Sequence, residues 1–138
     1  MSLQGARELV ASALGGTPYV ARALELMDVA AHGASDEAVA VWTERDDAVH
    51  AVALVGLVSG AVGAGRVHLM VGHDPHIVDR ACDVLRAMGA RFAMAEWPDD
   101  ATFAPAVEML RTAGFREVGR IPDFYRAGTA QVFLRRDL

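Results

Sequence analysis

Lysine is absent from this chain, and all thirteen cationic side chains are arginine. The absence is a matter of composition, since charge bookkeeping alone carries no information on fold or site. Cysteine is nearly absent too. Cys82 stands alone, which excludes an intramolecular disulfide and fits a reducing compartment. It lies inside an apolar helical pattern and reads as a small buried hydrophobe rather than a nucleophile. No apolar run is long enough to cross a bilayer. The longest, AVALVGLVSGAVGAG at 51–65, is broken by four glycines. The opening MSLQGARELVASALGG lacks a basic leader followed by an apolar stretch, so no signal peptide is expected. These absences lead to the expectation of a soluble, cytoplasmic chain that makes no use of a membrane. A basic excess is missing as well. The formal net charge is −5, which argues against broad, unspecific nucleic-acid binding.

What is present suffices for a core. A chain of 138 residues, 53% hydrophobic and 22% charged, is expected to form a single domain over 1–138 without staples. LQGARELVASAL (3–14) is helix-like and stops at Gly15-Gly16. Thr17-Pro18 reads as an N-cap followed by proline at the first helical position. The helix it opens places Val20, Leu24, Met27 and Ala31 at helical spacing and ends at Gly33. From Ala38 the period changes to that of strands: 38–42, a polar turn at 44–47, a long interior strand at 49–60, and 66–71. Asp74-Pro75 opens a helix with Ile77, Ala81, Val84, Leu85 and Met88 on one face, stopped by Gly89. A strand at 91–97, a helix at 103–114, and strands at 115–121 and 130–136 joined by PDFYRAGT complete the chain. The order ααβββαβαββ predicts an α/β fold: an antiparallel meander, then helical crossovers, giving a mixed sheet with helices on its faces.

The C-terminal run AVEMLRTAGFREVGRIPDFYRAGTAQVFLRRDL (106–138) is more specific. A helix ends at glycine, phenylalanine opens the next strand, and a PDFY corner leads into a last strand finishing in leucine. This run resembles the end of the GNAT acyltransferases. GARFAMAEWPDD (89–100) and the preceding meander are similar to the superfamily's element order, so the resemblance covers roughly residues 17–138. The superfamily's usual first strand is missing from this order.

The resemblance implies acetyl-CoA bound in a V between two strands, here 66–71 and 91–97, with Leu69, Met70 and Val71 as contacts to the pantetheine arm. It also implies a pyrophosphate on a glycine-rich turn at the next helix N-terminus, where free amides and the helix dipole attract phosphate. The sequence departs from that pattern. VGHDPHIVDRA (71–81) has no glycine signature, Asp74 is placed to cap the amides, and Asp79 adds a second negative charge. His76 and Arg80, with His73, are the cations left to meet phosphate. GAVGAG (60–65) precedes a strand rather than a helix and reads as a hairpin connection, not a phosphate loop.

Catalytic residues follow by the same comparison. Many members of the family carry a tyrosine four residues before the helix-ending glycine and an asparagine seven residues further upstream. Leu110 and Phe103 stand there in this chain. The phenol available as a general acid is therefore Tyr125. His68, near a position where some relatives place a glutamate, and Glu96, at the end of the next strand, are the candidate bases. Asp99 and Asp100 read as turn or capping residues. His68, His73 and His76 lack the spacing of a metal set, and no metal is expected. The resemblance thus implies acetyl-CoA-dependent N-acyl transfer to a small amine or peptide amine. The eroded loop, Leu110 and Phe103 support an alternative: a catalytically degenerate GNAT-like binding module, or a homodimer using the C-terminal strands.

Overall fold

The structure is a computed structural model that describes residues 2–33 and 35–138. Two helices come first, α1 (Ser2–Leu14) and α2 (Val20–His32). Three strands follow: β1 (Val39–Arg45), β2 (Ala48–Leu57) and β3 (Ala64–Gly72). Then come α3 (His76–Ala87), β4 (Phe92–Pro98), α4 (Ala104–Thr112), β5 (Arg116–Arg126) and β6 (Thr129–Asp137). The element order is the one the sequence periodicities predict. The strands form one six-stranded mixed sheet in the order β1-β2-β3-β4-β6-β5.

Helices α1 and α3 bury the stripe that their spacing provides, whereas α2 buries Ala23 and Met27 and leaves Ala31, expected on its apolar face, exposed. On α1 the buried positions are Ala6, Val10 and Leu14, at intervals of four. On α3 they are Ile77, Val78, Ala81, Cys82 and Leu85. Burying a large aliphatic side chain stabilises by about 1.5–3 kcal/mol, so these stripes hold the helices to the sheet. Strand β2 is buried continuously from Ala51 to Gly56, as an interior strand covered on both faces must be. Helices α1 and α3 both pack over it. Cys82 is buried, and burial pushes its thiol pKa up, which leaves it unreactive.

Three local expectations are corrected. Thr17 does not cap α2. Its hydroxyl donates to the Leu14 carbonyl (2.6 Å) and accepts from the Tyr19 amide (3.3 Å), so it closes the turn after α1 while α2 starts at Val20. Strand β1 runs three residues past Trp42, and its turn narrows to Asp46-Asp47, both at positive φ. Strand β5 continues through PDFYR to Arg126 instead of ending at Ile121. Proline there is tolerated because β5 is an edge strand, and the pairing with β6 is irregular between Ile121 and Arg126.

Gly56 fixes one feature that reaches the site. A Cβ there would collide with the carbonyl of Glu37, so only glycine lets the segment before β1 lie against β2. The Leu57 amide donates to the Asp36 carbonyl at 2.8 Å in the same contact.

Candidate active site

Strands β3 and β4 are paired at only three positions: Ala64 with Phe92, Gly65 with Ala93, and Arg66 with Met94. Beyond them β3 continues to Gly72 and β4 to Pro98 without facing pairs, and the sheet opens into a fork. The divergence has a local cause. Against β2, Leu69 pairs with Leu54 but Val67 pairs with Val55, leaving His68 as an extra residue. A bulge of this kind bends its strand and re-aims the side chain at the bulge. His68 is that side chain.

The fork is bridged at its base. Trp97, on β4 and 1% exposed, donates its indole N–H to the Val67 carbonyl at 2.9 Å. Its ring lies 5.6 Å from that of Phe103. Phe103 stands in turn 5.2 Å from Tyr19, and Tyr19 stands 6.1 Å from Tyr125. An aromatic wall therefore runs from the fork toward the β5–β6 corner.

That wall borders a cleft of about 280 Å³ between the α1–α2 junction and the strand ends. His68, Glu96 and Tyr125, which the sequence offers separately, all line it. A second cleft of about 320 Å³ adjoins it, sharing Arg22, Leu26 and His68 and adding Glu37 and Arg66. A larger trough of about 650 Å³ carries Glu8, Glu44 and Asp47 between α1 and the β1–β2 turn, away from these residues.

His68 has a defined proton. Its Nε2 lies 2.6 Å from the Glu37 carbonyl, which can only accept, so Nε2 carries the hydrogen and Nδ1 keeps its lone pair in the neutral ring. Burial pushes its pKa below the usual histidine value, opposed by the Glu37 bond and assisted by the Arg66 and Arg22 charges. The neutral base form therefore persists to lower pH than usual. Tyr125 moves the other way. Burial raises its phenol pKa, the bond with Gln131 opposes that, and the negative charges of Glu96 and Asp100 add to it. Glu96 is held by Arg66 at 3.5 Å. The two side chains are 26% and 36% exposed, and an ion pair this open contributes only about 0–1 kcal/mol.

Sequence reasoning missed several residues of the site. Arg66 is two residues from His68 on one strand, so a period of two could have found it. Tyr19 gives no such signal. It reaches the site because its hydroxyl donates to Asp100 (2.6 Å) and accepts from Arg126 (3.1 Å), tying α2, the β4–α4 loop and the end of β5 together. Asp100 also takes the Thr102 and Phe103 amides in the turn that leads into α4, the turn role that was the other expectation for it. Leu69, Met70 and Val71 lie buried along the open arm of β3.

At the other end of the fork, Asp74 accepts the His76 amide at 3.1 Å in the first turn of α3, as anticipated from its position. A groove of about 400 Å³ between α3 and α4 includes His76 but also Asp79 and Glu108, and Arg80 stands outside its lining. Among the described residues no three His, Cys, Asp or Glu side chains gather as a metal set, and no helix is long and apolar enough to cross a membrane.

Neither a protein-family model nor a curated protein sequence matches the chain. Solved structures do. A protein of Desulfovibrio desulfuricans assigned to the GNAT family of acetyltransferases superposes with a TM-score of 0.79 at 25% identity, over 98% of this chain and 91% of that one. The chain has the fold of the GNAT acetyltransferases. An aminoglycoside 6′-N-acetyltransferase in complex with coenzyme A aligns at 12% identity and a TM-score of 0.74, over 98% and 89% of the two chains. A Salmonella typhimurium protein described as an acetyltransferase, bound to acetyl-CoA, aligns at 14% identity and a TM-score of 0.73, over 100% and 90%. These alignments span nearly the whole chain.

Proposed function

We propose that this GNAT-fold chain transfers an acetyl group from acetyl-CoA to an amine. The observation that carries the reading is the convergence of His68, Glu96 and Tyr125 on one cleft at the mouth of the fork. The support for acetyl-CoA comes from the shared fold and from the two neighbours bound to coenzyme A or its acetyl form. The fork fits the acyl-bearing arm. The open side of β3 offers the backbone of Leu69, Met70 and Val71 where β4 no longer pairs. The phosphate end fits less closely, since His76 and Arg80 are set against Asp74 and Asp79.

When bound, acetyl-CoA supplies an activated thioester. The chain's own residues handle the protons. Nδ1 of neutral His68, or the Glu96 carboxylate, takes a proton from the acceptor ammonium to expose the nucleophilic nitrogen. Backbone amides at the β3 bulge would stabilise negative charge developing on the carbonyl oxygen. Tyr125 lines the cleft and carries the phenol that can give its proton to the departing sulfur. A C–N bond forms and a C–S bond breaks. Of the two protons the ammonium nitrogen loses, one offsets the proton delivered to sulfur and one goes to solvent.

Calorimetric or thermal-shift titration with acetyl-CoA tests the reading. A real site raises stability by about 2.7 kcal/mol at a hundredfold excess over its dissociation constant. No shift at millimolar ligand overturns acyl transfer. That result would favour the second reading, a module that no longer catalyses, which draws support from Asp74 on the His76 amide and Trp97 across the fork. In that reading a second copy docks on edge strand β5, where Val118, Ile121 and Phe124 are exposed, and light scattering would report a dimer.

A further inference from the structure

Arg66 and Glu96 face each other at the junction of the two clefts, 3.5 Å apart. Among the described residues neither side chain makes any other hydrogen bond or ion pair. Nε of Arg66 is buried without a partner, an unusual state for a guanidinium donor. Both partners are therefore under-used, and the bond between them is long.

The two sides of this pair differ in character. Glu96 lies on the first cleft, whose lining is mainly apolar, with Leu69, Trp97, Phe103 and Tyr19 around it. Arg66 lies on the second, where Arg22 and Arg66 are set against Glu37 alone. A simple amine would bring one positive charge to a carboxylate that Arg66 already balances. A ligand with adjacent ammonium and carboxylate groups can split the pair and satisfy both partners without burying net charge.

We propose that the acceptor is a free α-amino acid with an apolar side chain. Its ammonium meets Glu96, its carboxylate meets Arg66, and its side chain fills the aromatic-walled cleft. The cleft's volume of about 280 Å³ sits just under the roughly 300–1,000 Å³ usual for ligand pockets, which suits a small, compact acceptor. The acceptor's acetylation rests on the acyl-transfer reading above, but its recognition does not.

The test separates the two. Calorimetry without any acyl donor compares L-phenylalanine, 2-phenylethylamine, L-phenylalaninamide and spermidine, and thiol release from acetyl-CoA is then followed with each. Phenylalanine is expected to bind at least tenfold more tightly than the two analogues lacking a carboxylate, with spermidine weakest. Arg66→Met should collapse the gap between phenylalanine and phenylethylamine, while Arg66→Lys, which keeps the charge, should retain part of it. Equal or tighter binding of phenylethylamine or phenylalaninamide overturns the proposal, the latter result indicating a peptide terminus instead. Tightest binding of spermidine, or binding of none of the probes, overturns it as well. Selective binding without thiol release leaves the recognition standing and counts against acyl transfer. Thiol release without preference among the amines does the reverse.

Discussion

Replacing Trp97 by phenylalanine removes one buried N–H from the base of the fork. The Val67 carbonyl that accepts it at 2.9 Å is then left without its donor. Leaving a buried acceptor unsatisfied costs about 1–3 kcal/mol. The smaller ring also leaves part of a fully packed site empty, adding on the order of 1 kcal/mol. The expected loss is therefore about 2–4 kcal/mol. For a chain of this size each kcal/mol moves the melting temperature by roughly 4 °C, so a fall of about 8–16 °C is expected. Thermal denaturation followed by circular dichroism measures it, with urea unfolding as the check that cooperativity is kept. A melting temperature within about 2 °C of the parent would refute the bridge, because a solvated or absent bond costs nothing to remove. The same indole reports on ligand. In a Trp42→Phe background Trp97 is the sole fluorophore of its kind, and acetyl-CoA entering the fork should shift its emission.

Asp74→Asn keeps the cap on the His76 amide but removes its charge, so acetyl-CoA should bind several-fold more tightly by calorimetry; unchanged or weaker binding contradicts a competition between Asp74 and phosphate. Gly56→Ala drives a methyl group into the Glu37 carbonyl and should cost about 1–3 kcal/mol or more in chemical denaturation, with the His68 contact disturbed alongside. Burial holds the His68 pKa below its unfolded value of about 6.5, so on acidification the unfolded chain binds a proton before the folded chain does. Stability from this group is therefore complete above that value and is lost as pH falls through it. His68→Gln should flatten that part of the stability-against-pH curve, and a curve of unchanged slope would refute it.

The fold was legible because each element declares its period. The stripe Ala6, Val10, Leu14 and the unbroken apolar centre of β2 need no tertiary information to be read. The candidate site is legible by residue type but not by geometry. His68, Glu96 and Tyr125 stand out by their chemistry on three different strands, and only the folded sheet brings them to one cleft. The bulge at His68 is invisible in VHLMV, because it exists in the pairing with β2 and not in β3 itself. Tyr19 is silent in the sequence for a similar reason: its partners lie 81 and 107 residues away. The extension of β5 was missed because Pro122 signals a loop, a signal that holds for interior strands and fails at an edge.

The two ends of the fork carry different physical weight. At the acyl end, a bulge, an open strand edge and a half-buried imidazole meet, and each is a feature that costs stability to keep. A bulge forfeits ladder pairing, and a desolvated histidine resists its charged form. At the phosphate end the opposite holds. Asp74 on the first turn of α3 and Asp79 beside it stabilise the helix and disfavour an anion. A chain freed from catalysis would gain stability by regularising the acyl end, since nothing would oppose a straight β3 paired along its length. On the proposed acyl-transfer reading, the stability given up at the acyl end serves the acceptor site, and the donor is held mainly through its arm.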